Sequence, residues 1–241
     1  PTLRLFKLRT LLMVCSCHKE TETMLDPSRR KYQVVVAATR EMGIGKDGKL
    51  PWNLPSDMKF FKELTLTTAD PQKKNAVLMG RKTWMSIPVE YRPLRGRLNV
   101  IVSGSMASHS KEHVENVLVY NSISSALESL AEEPLSSSIE RVYIIGGSQI
   151  LRETLNGDDC EAIHITEIET NIPCDTFIPE IDTSRFTLWC SSAPILEQGI
   201  RYRFSTYIRS VGQSVISADA LSFQNLSSLP QMIIHNRISY K

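Results

Sequence analysis

The feature that most constrains the fold is a series of short apolar runs, rich in β-branched residues, that alternate with segments of helical character. Uninterrupted runs of this kind are typical of strands that are buried on both faces of a parallel sheet. We therefore predict an α/β protein with a single domain, whose twisted, mainly parallel central sheet has flanking helices. The strand runs are 34–38, 76–79, 99–102, 117–120 and 142–145, and the predicted helices are 56–66, 82–87, 122–132 and 148–156.

The last third of the chain has a different pattern. Segments 163–168 and 201–208 alternate polar and apolar residues with a period of two. Such alternation favours strands with one face toward water, as in antiparallel pairs. These segments are predicted to form an antiparallel C-terminal edge of the sheet.

Composition excludes several classes of function. The chain has 241 residues, is 41% hydrophobic, and carries a formal net charge of +2. No block of basic residues is present, which argues against nucleic acid or a membrane surface as a partner. The five cysteines include no C-x-x-C pair, so free thiols in a reducing compartment are expected and a metal site is not.

The two ends of the chain differ from its middle. Up to Cys17 the sequence has basic residues and no acid around a short apolar run, a composition compatible with a transit peptide. Residues 1–31 are therefore interpreted as a leader or disordered arm, and a mitochondrial or cytosolic location is expected. Residues 32–209 form the predicted domain. Residues 210–241 are rich in Ser, Asn and Gln and are expected to be a poorly ordered tail.

One carboxylate stands among apolar neighbours. Two prolines in 51–58 delay the next helix until about Ser56, which places Asp57 in its first turn. At helical spacing Asp57 shares a face with Phe61 and Leu64, so it points where a core-facing side chain would point. A buried acid is costly unless a donor meets it, which is typical of ligand-binding and catalytic acids. The alternative is an exposed Asp57 that stabilises the helix dipole.

A glycine motif follows the first strand. Residues 43–48 satisfy G-x-G-x-x-G, but dinucleotide binding by this motif requires a helix directly after it. Pro51 and Pro55 prevent that helix. The glycines instead predict a mobile loop that can close over a ligand, with an ordinary glycine-rich turn as the alternative.

Two further turns are better suited to phosphate. Segments 80–83 and 146–149 each follow a strand and open a helix, and the first also carries Arg81 and Lys82. Free backbone N–H groups at such turns attract anions. Two turns of this type favour a ligand with several phosphates, such as a dinucleotide, although glycine at a simple corner would give the same pattern.

Arg97 stands at the start of a predicted strand. A guanidinium held there could bind a carboxylate through two parallel hydrogen bonds. A surface arginine paired with Glu90 or another acid is an equally good interpretation.

From Tyr32 to Arg209 the chain resembles dihydrofolate reductase. Residues 60–68 and 150–153 are similar to the reductase portion of the plant bifunctional dihydrofolate reductase–thymidylate synthases, whereas no resemblance to the synthase portion is found. The segments that match the family in order and spacing are 42–45, 50–52, 80–84, 92–94, 145–147 and 175–177.

The resemblance implies reduction of 7,8-dihydrofolate to 5,6,7,8-tetrahydrofolate with NADPH, which supplies one-carbon carriers for thymidylate, purine and glycine metabolism. It implies that Asp57 orients the pterin, that Trp52 positions a water near this acid, and that antifolates inhibit the protein. The substrate residues that it implies are Val35, Asp57, Met58, Phe61, Ile87, Leu94, Arg97 (for the glutamate α-carboxylate), Ile145 and Thr166 (behind Asp57).

The resemblance also implies an NADPH site and a cis peptide between Gly146 and Gly147, and it places the loop 43–49 over the nicotinamide. The cofactor residues that it implies are Ala37, Gly43, Ile44, Gly45, Lys46, Asp47, Gly48, Lys49, Gly80, Arg81, Lys82, Thr83, Val102, Ser103, Gly104, Ser105, Gly146, Gly147, Ser148, Gln149, Ile150, Leu151 and Arg152.

Two positions depart from the family pattern. Gly104 and Asn121 stand where family members often carry basic residues that contact the phosphate by which NADPH differs from NADH. We still expect NADPH, with weaker discrimination. The departures also support an alternative, a non-catalytic folate-binding or regulatory paralogue. The chain is expected to be a monomer or to associate with a bifunctional relative.

Overall fold

Strands and helices alternate along the chain as the sequence predicts. The computed structural model describes residues 29–104 and 115–210. The predictions for residues 1–28 of the leader, for Ser105 and for the tail beyond residue 210 concern residues outside these ranges. The strands are β1 (Tyr32–Thr39), β2 (Gly43–Gly45), β3 (Lys74–Gly80), β4 (Arg97–Val102), β5 (Val117–Tyr120), β6 (Ile139–Gly146), β7 (Cys160–Ile168), β8 (Thr176–Phe177), β9 (Phe186–Ser191), β10 (Ile195–Glu197) and β11 (Ile200–Arg209).

Five α-helices and one 3-10 turn are present in the described ranges. Helix α1 begins one residue earlier than predicted, with Pro55 at its first position, where a missing N–H costs nothing. None of the helices described here has the length and apolar character needed to cross a membrane. The helices are α1 (Pro55–Leu66), α2 (Arg81–Ser86), α3 (Ile123–Ala131), α4 (Leu135–Ser138) and α5 (Ser148–Thr154), and the 3-10 turn is Val89–Tyr91.

The described strands build one nine-stranded sheet and a small two-stranded ribbon of β2 and β8. The order in the large sheet is β10-β11-β7-β1-β6-β3-β4-β5, with β9 also paired to β11. Strands β7 through β5 in this order run parallel, whereas β11 pairs antiparallel with β7, β9 and β10. The predicted mainly parallel sheet with an antiparallel C-terminal edge is therefore confirmed.

Two details of the strand predictions were wrong. Segment 163–168 is not at the edge: it is the inner part of β7, parallel to β1 and largely buried on both faces. Its polar residues are buried because each has a partner; the ring nitrogens of His164, for example, lie 3.0 Å from Oγ1 of Thr206 and 2.9 Å from Oε1 of Gln33. Strand β5, predicted to be buried on both faces, is half-buried because it ends the sheet.

Apolar side chains form two clusters, one on each face of the sheet. Helices α3 and α5 contribute residues such as Leu127 and Leu151 to the first cluster. Helix α1 contributes Phe60 and Leu64 to the second, where Phe60 stacks on Phe204 of β11 with ring centroids 4.3 Å apart. The second cluster is therefore the one that positions α1 and the acid in its first turn.

Candidate active site

Asp57 is a buried acid. Its side chain lies in the first turn of α1, and the residue is only 4% exposed. Oγ1 of Thr166 on β7 donates a 2.6 Å hydrogen bond to Oδ1 of Asp57. Burial raises the pKa of Asp57 from 3.8 to about 6, although the bond from Thr166 opposes the rise and the charge of Glu197 adds to it. The exposed alternative for Asp57 is therefore wrong.

Trp52 offers a donor in the same region. It is 7% exposed and belongs to the apolar cluster that also holds Val35 and Phe60. Its Nε1 is buried and has no hydrogen-bond partner within the described residues. Because an indole N–H can only donate and a buried unpaired donor costs about 1–3 kcal/mol, this atom marks a polar position in an otherwise apolar wall.

The structure brings most of the predicted substrate residues together. Val35 lies in the second apolar cluster, and the half-buried residues that pack against that cluster include four of the predicted ones. Met58 is different because it is 45% exposed and is not part of this cluster. The half-buried predicted residues are Phe61, Ile87, Leu94 and Ile145.

Arg97 is a buried cation. It is 5% exposed, and its Nη1 donates to Oγ1 of Thr65 at 2.8 Å while its Nε donates to the carbonyl oxygen of Arg95 at 3.2 Å. Its guanidinium carbon lies 5.9 Å from the ring centroid of Phe61. No salt bridge to Arg97 is formed by the described acids, Glu90 included, so the surface-pair interpretation is wrong.

Burial lowers the pKa of Arg97 to about 10, which still leaves the side chain charged at neutral pH. A buried cation without an acid partner is costly. The aromatic face of Phe61 and the neutral donors and acceptors around Arg97 offset only part of this cost. The arrangement fits a site for an external carboxylate.

The two glycine turns meet at the carboxyl ends of adjacent strands. Met79 of β3 pairs with Gly146 of β6, so Gly80 and Gly147 follow strand ends that lie side by side. A Cβ on Gly80 would lie 3.7 Å from the backbone nitrogen of Gly147, and one on Gly147 would lie 3.0 Å from Oγ1 of Thr83. The peptide between Gly146 and Gly147 is cis, as the resemblance implies.

Helices α2 and α5 begin at these turns. Neither N-cap, Gly80 or Gly147, has a side-chain hydrogen bond among the described residues, so the first N–H groups are not capped by a side chain. Arg81 and Lys82 are exposed beside the first turn. Glycine in both turns keeps the backbone accessible, which is the arrangement that a phosphate-bearing ligand requires.

The remaining cofactor candidates extend from this edge in two directions. Toward β4, Val102 pairs with Gly80 and Ser103 is 7% exposed. Gly104 is exposed, and among the described residues other than its chain neighbours no heavy atom lies within 4 Å of where a Cβ would stand. Along α5, Ile150 and Leu151 are buried, Ser148 is half-buried, and Gln149 and Arg152 are exposed. On β1, Ala37 is half-buried.

The loop 43–49 is a short hairpin. Gly43 and Gly45 of β2 pair with β8, and half-buried Ile44 lies between them. The backbones of Lys46 and Lys49 exchange two hydrogen bonds of 2.9 Å. No helix follows until Pro55, so the motif lacks the helix N-terminus by which such glycine motifs meet a pyrophosphate, as predicted. Closure of this hairpin over a ligand stays a prediction.

The turn residues Asp47 and Gly48 have positive φ angles of 51° and 72°. The backbone nitrogen of Asp47 donates to Oδ2 of Asp175 at 2.7 Å, and that of Asp175 donates to the carbonyl oxygen of Gly45 at 3.0 Å. Asp175 thus ties the hairpin to the strand that pairs with it.

Sequence reasoning missed Glu197. Its carboxylate contacts Ser56, the residue before Asp57, and Tyr202 on β11. Ser56 lies 141 positions before Glu197, so local pattern does not reveal this contact. The only local signal is the turn that follows, where Gln198 and Gly199 have positive φ angles of 50° and 76° and join β10 to β11 as a tight hairpin.

Comparison with known proteins gives one consistent result. The family described as "Dihydrofolate reductase" matches residues 31–209. "Bifunctional dihydrofolate reductase-thymidylate synthase 2" of Arabidopsis thaliana is 55% identical over 229 residues, which cover 90% of this chain and 40% of that protein. The chain thus spans well under half the length of this plant relative.

Two shorter proteins are matched over nearly their whole length. "Dihydrofolate reductase" of Aedes albopictus is 37% identical over 183 residues, which cover 74% of this chain and 97% of the insect protein. The solved structure of "Schistosoma mansoni Dihydrofolate reductase" is 36% identical with a TM-score of 0.65, and the match covers 76% of this chain and 100% of that one.

Proposed function

The chain belongs to the dihydrofolate reductase family, and we propose on this basis that it reduces 7,8-dihydrofolate to 5,6,7,8-tetrahydrofolate with NADPH. In this reaction a hydride adds to the carbon of the pterin C=N bond and a proton adds to its nitrogen. The observation that carries the proposal is Asp57, a buried carboxyl in the first turn of the helix that contributes Phe60 and Leu64 to the second apolar cluster, with Thr166 behind it and a pKa of about 6.

Asp57 has the properties that orientation of a pterin needs. Its carboxylate accepts hydrogen bonds from the amino group and ring N–H of the substrate, and these bonds are stronger in a water-poor site than in solvent. The hydroxyl of Thr166 occupies Oδ1 at 2.6 Å and so fixes the orientation of the carboxyl group. The pKa near 6 keeps a proton available close to neutral pH.

Trp52 and the apolar wall control water. The buried Nε1 of Trp52 can hold one water by donating to its oxygen, and that water can pass a proton toward the pterin nitrogen. Val35, Phe61 and Leu94 supply apolar surface for flat rings and exclude other water. Arg97 binds the substrate's α-carboxylate, which anchors the far end of the molecule.

The glycine turns fit a dinucleotide because, among the described residues, no side chain caps the first N–H groups of α2 and α5, which can therefore donate to phosphates. A Cβ on Gly147 would lie 3.0 Å from Oγ1 of Thr83, so glycine fits best there. NADPH, when bound, would supply the hydride, which carries both electrons of the reduction. Gly80, Arg81 and Lys82 would hold its phosphates, and Ser103 lies at the next strand end, beside them. Hairpin residues 43–49 would cover the nicotinamide.

Oxidation of NADPH by the purified protein tests the proposal. We expect absorbance of NADPH to fall only when dihydrofolate is added, the fall to stop with an antifolate, and Asp57→Asn to abolish it. The non-catalytic alternative predicts tight dihydrofolate binding by calorimetry without any turnover. NADH in place of NADPH measures how far Gly104 and Asn121 weaken discrimination.

A further inference from the structure

Glu197 is a half-buried acid at the end of β10 that accepts hydrogen bonds from two other elements. The hydroxyl of Ser56 on α1 donates to Oε1 at 3.0 Å, and the backbone nitrogen of Ser56 lies 3.3 Å from both carboxylate oxygens. The hydroxyl of Tyr202 on β11 donates to Oε2 at 2.9 Å. One carboxylate thus joins the start of α1 to the antiparallel edge of the sheet.

Helix α1 needs this contact because it has no local cap. Its N-cap residue, Leu54, has no polar side-chain atom and makes no side-chain cap hydrogen bond among the described residues. The first N–H groups of a helix require acceptors, and the side chain at the N-cap position usually supplies one. Glu197, which lies 141 residues after Ser56, supplies that acceptor and places a negative charge at the positive end of the helix.

The same turn carries Asp57. The backbone of Ser56 is joined directly to that of Asp57, so any shift of the first turn moves the acid relative to Thr166 on β7. We propose that Glu197 is a positioning residue of the reductase site, which holds the first turn of α1 and sets the charge environment in which Asp57 works. This inference rests on the proposed function.

Besides the hydrogen bonds that Glu197 accepts, its negative charge also affects the pKa of Asp57. The described groups that act on the Asp57 carboxyl are the Thr166 hydroxyl on β7 and the Glu197 carboxylate on β10, and Asp57 in turn raises the pKa of the Tyr202 phenol on β11. The bond from Thr166 lowers the pKa of Asp57, while burial first and the negative charge of Glu197 second raise it. Removal of that charge therefore lowers the pKa of Asp57.

Glu197→Gln tests this effect because it removes the charge and keeps an oxygen that can accept from Ser56 or Tyr202. We expect the pKa of Asp57, followed by the carbon-13 shift of its carboxyl carbon, to fall by roughly half a unit. The midpoint of the pH profile of kcat/KM for dihydrofolate should move the same way. Asp57→Asn identifies the resonance by its absence.

Glu128→Gln is the matched control. Glu128 is an exposed acid on α3 that accepts a 2.9 Å hydrogen bond from the hydroxyl of Ser124. This variant therefore also removes one charge and keeps an oxygen that can accept from a serine hydroxyl. We expect neither the pKa of Asp57 nor the pH profile to change. An equal shift in both variants would show an effect of net charge alone and would overturn the proposal.

Ser56→Ala separates position from charge. It removes one donor to Glu197 but leaves the charge in place, so we expect KM for dihydrofolate to rise about threefold with the pH midpoint unchanged. Glu197→Ala removes both contributions, and we expect kcat/KM to fall about tenfold. Melting temperatures of all variants identify any that fail to fold.

The results separate failure of this proposal from failure of the proposed function. A lower melting temperature in Glu197→Gln with an unchanged Asp57 titration and unchanged kinetics would show that Glu197 only ties β10 to α1, and it would overturn the proposal. A wild-type protein that does not oxidise NADPH would reject the proposed function itself. In that case the carboxyl titration, which needs no turnover, still decides whether Glu197 controls the pKa of Asp57.

Discussion

Thr166 donates a 2.6 Å hydrogen bond to Asp57 although the two residues lie 109 positions apart in the chain. The bond joins the first turn of α1 to β7, the strand between β1 and β11. Burial and this bond have opposite effects on the pKa of Asp57, and burial is the larger. The balance between them makes the ionisation of Asp57 sensitive to small changes in its surroundings.

Asp57→Asn should stabilise the protein at pH 7.5 while it removes turnover. The pKa of Asp57 is raised from 3.8 to about 6 in the folded state, so the folded protein holds this proton to a higher pH than the unfolded chain does. The stability that the proton contributes is complete below pH 3.8 and is lost as the pH rises through 6. The ionised acid therefore costs up to about 3 kcal/mol at pH 7.5.

Urea unfolding of wild type and Asp57→Asn at pH 7.5 and at pH 4 measures this cost. The difference in free energy of unfolding should favour the variant at pH 7.5 and nearly vanish at pH 4, where wild-type Asp57 is also largely protonated when folded. Equal differences at the two pH values would mean that the asparagine acts through packing and not through charge.

Thr166→Val should change the pKa of Asp57 in the direction opposite to that expected for Glu197→Gln. Valine keeps the shape of threonine but cannot donate to Oδ1, so the pKa of Asp57 should rise further and KM for dihydrofolate should increase about threefold to tenfold. The pH profile of kcat/KM and the carboxyl titration measure the shift. Thr206→Val is the control, since Thr206 is also buried but contacts His164; a shift of the same size there would contradict the prediction.

Arg97→Leu should weaken binding of ligands with a carboxylate tail and spare those without one. Loss of a buried cation that pairs with the substrate should raise KM for dihydrofolate by about 30-fold or more, with a much smaller change in kcat. Because burial of the unpaired guanidinium is itself costly, the melting temperature should stay equal or rise.

Arg95→Leu provides the comparison for Arg97→Leu. Arg95 is exposed two residues earlier, and it contacts Arg97 only through its backbone carbonyl. We expect this variant to bind dihydrofolate as the wild type does. Calorimetry with a pteridine that lacks the glutamate should give the same affinity for wild type and both variants, and a large loss for Arg97→Leu with that compound would argue against an anchoring role.

Gly104→Arg should increase the preference for NADPH over NADH. Within ranges 29–104 and 115–210, and apart from its chain neighbours, no heavy atom lies within 4 Å of a Cβ at this position, and the residue lies just after Ser103 at the end of β4. A guanidinium there can pair with the additional phosphate of NADPH, so we expect the ratio of kcat/KM for the two cofactors to rise about tenfold. Gly104→Gln adds similar length without charge, and an equal gain from it would contradict the electrostatic explanation.

The parallel core could be predicted from sequence because its strands carry their information locally. The run 34–38 is apolar on both faces, and β1 indeed lies in the middle of the sheet. Strand β7 was misplaced because His164 and Thr166 look like residues of a wet face. Their hydrogen-bond partners include Gln33 and Asp57, each more than 100 positions away. Alternation shows which residues are polar. It does not show whether a residue far away in the sequence forms a hydrogen bond with them and so allows them to be buried.

In the candidate site, too, the features set by local sequence could be predicted and those set by distant contacts could not. The face of α1 that carries Asp57 and Leu64 follows from helical spacing, and the structure buries both residues. The carboxylate of Glu197 could not be connected with α1 because the helix signal at Leu54 and Pro55 contains no cap and gives no hint of which acid replaces it. The short strand β10 that carries Glu197 has three residues, too few for a periodic signal.

The burial of Arg97 affects how easily a mutation could make this protein resistant to different inhibitors. Its guanidinium is already removed from water by Thr65, Phe61 and the local backbone, so a drug with an acidic tail finds a charge that needs little further desolvation. Lipophilic drugs leave that charge without a partner. In the proposed function Arg97 also holds the carboxylate of the natural substrate, so a replacement that weakens binding of an acid-bearing inhibitor would weaken binding of the substrate as well.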